Sequence, residues 1–320
     1  MTTVTADERI PPRRAYVALA AVCLFWGTTY LGLRIALESL PPLYLIAIRY
    51  VISGSILLVA AKIGGFRLPR GGELWRTAVC GVICIGVGNS FLAISELLIP
   101  SGMAALFYTT APFLMVGIDA LLPHGKRPSL FTTGGLFVGL LGVIFLILPA
   151  RHEGISGHTL SGFLVLQIGA VGWVLGALLQ KRVKAHSEAF VTGAVQQMAA
   201  GLATFIPAFF LETPPHAITM RSALAIVYLV IFGAIIGFSA FVYSIAHLPV
   251  AIVSIYTFVN PVVAIALGWL FFREPFGQRE FTAMLIIFAG IVLVRWSEEK
   301  RAGARTPALK DGGLAEDRSV

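Results

Sequence analysis

Charge is what this sequence is short of. Only 12% of its 320 residues are Asp, Glu, Lys or Arg, 57% are hydrophobic, and the mean hydropathy is +0.86. Soluble domains carry about 25% charged residues, so a water-soluble fold is excluded: a chain of this length could not hide that much apolar surface. The net charge of +8 is scattered between apolar runs instead of gathering on one face, which argues against a nucleic-acid partner.

Cysteine is equally scarce, and Cys23, Cys80 and Cys84 all fall inside apolar runs, where a thiol behaves as a small hydrophobe. Cys80 and Cys84 share a helix face by i, i+4 spacing, but with no third ligand nearby no metal site is expected. The chain has neither a GxxxxGK[ST] loop nor an HExxH motif, and His152-Glu153 and His186 lie in loops without a second ligand. No cofactor is expected. An intramembrane enzyme or a membrane scaffold stays open as an alternative class, although paired Asp, His or Ser on facing helices are not evident. Midplane carboxylates are missing too. Glu38 and Glu96 sit at one set of helix ends and Asp119 near the other, whereas a proton-driven exporter of lipophilic cations is expected to hold a titrating acid in its pocket. That ranks zwitterionic or weakly polar metabolites above cationic drugs as substrates.

Long apolar runs are what the sequence has in abundance. They fall at 15–37, 41–62, 74–96, 100–121, 129–148, 159–181, 187–211, 222–246, 249–272 and 277–296, each near the 20 residues that a bilayer-spanning helix needs. The expected fold is an all-α membrane protein of ten transmembrane helices in two inverted five-helix repeats. Residues 1–14 form a cytoplasmic segment, 15–148 and 159–296 the two repeats, and 297–320, polar with Gly and Pro, a disordered cytoplasmic tail. The first run lacks a small-residue cleavage site and reads as a true first helix rather than a signal peptide.

Orientation follows from the basic residues. Arg13, Arg14, Lys62, Arg67, Arg76, Lys126, Arg182 and Lys300 belong to the larger set on the N-terminal side, while Arg34, Arg151, Arg221, Arg273 and Arg279 make up the other. The positive-inside rule then places both termini in the cytoplasm of an inner membrane. The repeat reading comes from residue correspondences. At an offset of 147, Trp26 meets Trp173, Arg34 meets Lys181 and Gly54 meets Gly201; at 149, Gly88 meets Gly237, Pro100 meets Pro249 and Pro112 meets Pro261. Five helices per copy is an odd number, so the second copy enters from the opposite side, the architecture that supplies two alternating gates.

Candidate site residues follow from polarity at depth. Pro112 and Pro261 interrupt the fourth and ninth runs and are candidate gating positions, because proline frees a backbone carbonyl that protein, water or ligand must satisfy; a plain packing kink is the alternative. Tyr108 with Thr109 and Thr110 precedes the first, and Tyr256 with Thr257 and Asn260 the second. Trp26 and Trp173 lie away from the interfacial belt and need a partner for the indole N–H, either in a substrate cavity or in packing against small residues. Arg49, an ionic residue well inside a run, requires a partner: a structural carboxylate such as Glu96, or a substrate carboxylate.

These residues resemble the drug/metabolite transporter superfamily, EamA type, over roughly 15–296. The resemblance rests on Phe25-Trp26-Gly27-Thr28-Thr29-Tyr30 with Arg34, Pro41-Pro42 leading to Ile48-Arg49-Tyr50, Gly88-Asn89 followed by Glu96, and Pro100-Ser101-Gly102-Met103-Ala104-Ala105. In the second half it rests on Tyr256, Asn260-Pro261-Val262-Val263-Ala264 and Arg273-Glu274-Pro275. It implies ten helices in two repeats, cytoplasmic termini and alternating access around a central cavity, in proteins that mostly export amino acids and related metabolites. The chain departs from the pattern after the fourth run, where Gly125-Lys126-Arg127 stands near the place of the acid seen as Glu274 in the second half. The expected function is export of small amphipathic, amino-acid-like metabolites through a cavity of Arg49, Trp26, Asn89, Tyr108, Trp173, Tyr256 and Asn260. Multidrug or toxic-compound efflux is the runner-up. The partners expected are a small-molecule substrate and the lipid bilayer; a homodimer is left open.

Overall fold

The computed structural model describes residues 13–121, 128–147, 157–182, 187–248, 250–253 and 255–311. All regular structure among the described residues is helical. The helices are α1 (Arg13–Ala36), α2 (Pro42–Ile63), α3 (Gly71–Ser95), α4 (Ser101–Leu121), α5 (Leu130–Ile147), α6 (Gly157–Arg182), α7 (Ala189–Leu211), α8 (Met220–Ser244), α9 (Tyr256–Phe272) and α10 (Gln278–Asp311). Eight helices among the described residues are long and apolar enough to cross a bilayer, while Leu130–Leu146 and Tyr256–Phe272 are shorter apolar helices. A single helical turn, Val250–Val253, precedes α9.

Punctuation residues decide where helices begin. Pro41-Pro42 opens α2, since proline fits the first helical positions, where no N–H is needed. The amides of Leu43 and Tyr44 that remain are met by the Glu212 carboxylate from the end of α7, at 2.9–3.1 Å. A cap from another helix ties two elements together while satisfying orphan donors. At the other end of the chain α10 runs on to Asp311, so residues 297–311 are helical where composition predicts a tail. The Glu, Lys and Arg that make this stretch polar, and the alanines among them, are also good helix formers. Residues 312–320 and the first twelve lie outside the described residues.

The bundle is organised by close pairs. α2 packs along α7 and α5 along α10; α1 lies against α8 and α9, and α6 against α3 and α4. Glycine permits the first pairing: a Cβ on Gly54 would lie 2.5 Å from the backbone nitrogen of Met198, and one on Gly201 2.5 Å from that of Val51. Small residues are how membrane helices gain contact where lipid leaves no hydrophobic driving force between them.

Two helices carry a π-helical segment in mid-span, Val82–Val87 in α3 and Leu229–Ile236 in α8. Each ends at a glycine, Gly88 or Gly237. Such segments widen the turn and displace carbonyls from the regular ladder, and they recur at functional sites.

Candidate functional site

Trp26 is the hub of a cluster where α1, α6, α8 and α9 meet. Its indole N–H donates to the carbonyl of Gly233 at 3.1 Å, inside the π-helical segment of α8, so the polar edge of the ring is satisfied at depth as such a ring requires. Trp173 and Tyr256 meet Trp26 edge-on, at centroid distances of 6.4 and 5.2 Å, and Phe241 lies tilted at 5.0 Å. Three of the predicted residues therefore touch directly. Trp26, Trp173, Tyr108 and Tyr256 each keep part of their surface uncovered.

Asn260 closes the cluster from α9. Two carbonyls face one side of its amide, which identifies that side as nitrogen: it donates to Tyr256 at 3.1 Å and to Cys23 at 3.0 Å. One side chain thereby joins α9 to α1. Asn89 donates to Ile85 O of its own helix at 3.1 Å, where the π-helical segment of α3 ends; it is buried, and no bond from it reaches the cluster. Tyr108 packs against the main core cluster, within electrostatic reach of Tyr30, Tyr50, Tyr256 and Cys84.

Arg49 extends from α2 to Gly233, the same glycine whose carbonyl Trp26 meets. A Cβ on Gly233 would lie 2.8 Å from Nη2 of Arg49 and 3.3 Å from Thr29 Oγ1, and the guanidinium stacks over the Tyr50 ring at 4.8 Å. Arg49 is 3% exposed, and its Nε and Nη1 have no hydrogen-bond partner. Pairing with Glu96, the structural expectation, is overturned: both carboxylate oxygens of Glu96 are themselves without a partner. An arginine cannot escape by losing its proton, so this is a permanent buried cation with open donors.

The two candidate gating prolines have different settings. α4 breaks at Thr109-Thr110, ahead of Pro112. The amides of these threonines turn back to Leu106 and Phe107, and their hydroxyls donate to the same two carbonyls at 2.6 and 2.9 Å. Pro112 falls in the first turn of the continuing helix, where a missing N–H costs nothing. Pro261 is inside α9, and the interruption there comes earlier, at Ile255.

Beyond the break, the start of α4 is held by Glu274. Its carboxylate accepts from the amides of Ser101 and Gly102 at 2.8 and 3.0 Å and from the Ser101 hydroxyl at 2.9 and 3.0 Å. Arg273 adopts φ 52°, ψ 37°, a left-handed conformation unusual for a residue with a Cβ, and this ends α9 so that Glu274 faces α4. A cavity of about 20 Å³ lies beside it, between Pro100, Met103, Ile265 and Phe276, away from the Trp26 cluster. Gly125-Lys126-Arg127, where a matching acid is missing, lies outside the described residues.

Sequence reasoning passed over two glutamines. Gln197 on α7 accepts from Ser53 at 2.6 Å and donates to Ala234 O, one residue after Gly233, at 3.2 Å. Gln167 on α6 shares the Thr110 hydroxyl proton with Phe107 O, its amide oxygen 2.9 Å away, while its amide nitrogen has no partner. The signal was available: each is an amide set within an apolar run, which in lipid demands a partner.

The chain is similar to known proteins over most of its length. The chain is 32% identical over 279 residues to an Escherichia coli K12 protein named as an uncharacterized inner membrane transporter, YedA, covering 87% of this chain and 89% of that one. It is 27% identical over 282 residues to Protein PecM of Dickeya dadantii, covering 87% and 91%. A solved structure 22% identical in sequence superposes with a TM-score of 0.65, covering 89% of this chain and 99% of the other. The model of the EamA-like transporter family matches twice, over residues 13–148 and 160–296, and the chain belongs to that family.

Proposed function

We propose that the chain is a secondary transporter of ten membrane-spanning helices in two inverted five-helix repeats. It exports small amphipathic metabolites carrying a carboxylate, amino-acid-like in character, by alternating access around Trp26 and Arg49. Both termini are cytoplasmic in this reading, and the chain is not an enzyme. The repeat reading draws support from helix pairing, because exchanging each helix with the one five places on turns the α1–α8 and α1–α9 contacts into α6–α3 and α6–α4 and leaves the α2–α7 and α5–α10 pairs in place. The π-helical segments of α3 and α8 also occupy corresponding places.

The observation that carries the substrate class is the guanidinium of Arg49, buried with Nε and Nη1 unused. A permanent cation in a low-dielectric site attracts a carboxylate and repels lipophilic cations far more strongly than in water. The aromatic faces of Trp26, Trp173, Tyr108 and Tyr256 suit the apolar part of such a ligand, with Asn89 and Asn260 as polar contacts. The breaks beside Pro112 and before Pro261 are the places where α4 and α9 would bend as gates.

Transport in proteoliposomes, with an amino-acid panel and a lipophilic-cation panel, tests this reading. Arg49→Gln should nearly abolish carboxylate transport, and Arg49→Lys, which keeps charge but loses the planar fork, should retain part of it, with folded yield largely preserved in both. Undiminished carboxylate transport by folded Arg49→Gln would remove Arg49 from the site, and transport of the cations alone would establish multidrug efflux instead.

A further inference from the structure

A second buried ionisable group has no role in the substrate reading. Glu96 occupies the turn after α3, just past the span Gly71–Ser95. It is 0% exposed, and neither carboxylate oxygen accepts a hydrogen bond. Arg34, at the end of α1, sits beside it, yet the guanidinium donates to the backbone carbonyl of Glu96 instead of its carboxylate. Five residues further on begins the segment of α4 whose amides are held by Glu274.

An ionised carboxylate in this position would bear a large desolvation cost with nothing to repay it. Unlike an arginine, a carboxyl can remove that cost by binding a proton. The ionisable groups acting on it are few. Arg34 from α1 favours ionisation and Glu274 beyond α9 opposes it, and Tyr30 on α1 is near enough to interact with it. Of the other helices against α3, α2 carries Arg49, which does not pair with it, α6 carries His158 in its first turn, which is exposed, and α7 has no ionisable side chain between Ala189 and Leu211.

We infer that Glu96 is a proton-binding site, occupied while the α3–α4 turn is sealed and emptied when the start of α4 parts from Glu274 and water reaches the turn. The site goes beyond the substrate reading and stands whatever the cargo. Coupling of the proton to transport rests on the transporter reading, but the tests below need no substrate. Burial raises the carboxyl well above its ordinary value of 4.5, with Arg34 opposing and Glu274 reinforcing the shift. The folded protein therefore keeps this proton over a pH range in which the unfolded chain has lost it. The stability that results is complete below the ordinary value and is lost as pH rises through the folded value.

Two measurements on the full-length protein in liposomes test the site. Infrared titration should show the carbonyl stretch of a neutral carboxylic acid persisting well above pH 4.5 in the parent and missing in Glu96→Gln. In Glu274→Gln, which removes both the cap and the opposing charge, the same band should survive but titrate at lower pH. Thermal unfolding against pH should give curves for the parent and Glu96→Gln that run parallel in acid, with the parent falling behind as pH rises, because glutamine mimics the neutral form throughout. If Glu96→Gln does not fold, Glu96→Asp should shift the midpoint of the band. An unchanged band in Glu96→Gln, or a constant offset between the unfolding curves, would overturn the site. A band unmoved in Glu274→Gln would overturn its link to the α4 cap.

Discussion

Arg49 and Glu96 carry opposite charges, both are buried, and they belong to helices that pack together, yet they do not pair. Arg49 lies seven residues into α2, roughly 10 Å along its axis at 1.5 Å per residue, whereas Glu96 stays in the turn after α3, where Arg34 already fills the adjacent space. Residue types alone could name the two ions; the depth each reached was decided by packing. Trp26 is a comparable case, since the sequence demanded a partner for its indole and could not say that a displaced carbonyl in α8 would serve. Trp26→Phe loses that bond, worth about 1 kcal/mol, together with part of the ring's contact area, so it should cost more than the bond alone. Trp173→Phe, whose indole donates no hydrogen bond to the hub, should cost less. Thermal unfolding in detergent compares them, and equal losses would mean that ring shape, not the bond, holds Trp26.

Among the helices, the crossing of α2 and α7 is a demanding contact, because each presents a glycine to the other's backbone. A backbone cannot move aside as a flexible side-chain tip can. Gly54→Ala and Gly201→Ala should therefore each destabilise the fold by about 1–3 kcal/mol, the range for overpacking. Gly117→Ala on α4, where an added Cβ meets nothing within 4 Å, should be neutral or, through helix propensity, up to about 1 kcal/mol stabilising. Melting temperatures of the three variants check this, and a tolerated Gly54→Ala would mean that α2 and α7 can separate freely. The matched glycines, tryptophans and prolines were all visible at offsets of 147 and 149. Invisible at that level were the unequal helix breaks. The break in α4 lies in the turn before Pro112, where two threonine hydroxyls bond the Leu106 and Phe107 carbonyls, and the interruption before α9 comes at a different distance from its proline.

At the scale of the whole molecule, the inverted-repeat proposal makes a topological demand. A C-terminal reporter enzyme should be active only on the cytoplasmic face. In a background lacking Cys23, Cys80 and Cys84, Ser156→Cys in the 148–156 connection should react with a membrane-impermeant maleimide added outside. A periplasmic C-terminus would overturn the orientation and the repeat assignment together. Class, family and the approximate places of the apolar helices were legible in the sequence alone, because bilayer thickness sets the length of each apolar run and leaves charge to the connections. The family's motifs survive as short local strings. Only the tertiary structure decided which polar groups find partners: the carboxylates of Glu212 and Glu274 cap helices more than 160 residues away in the chain, while Nε and Nη1 of Arg49 and both carboxylate oxygens of Glu96 are left without a hydrogen bond. Hydrophobicity is summed along the chain, but a hydrogen bond depends on where two distant helices bring their atoms to within about 3 Å, and that distance is set by the packing of the bundle.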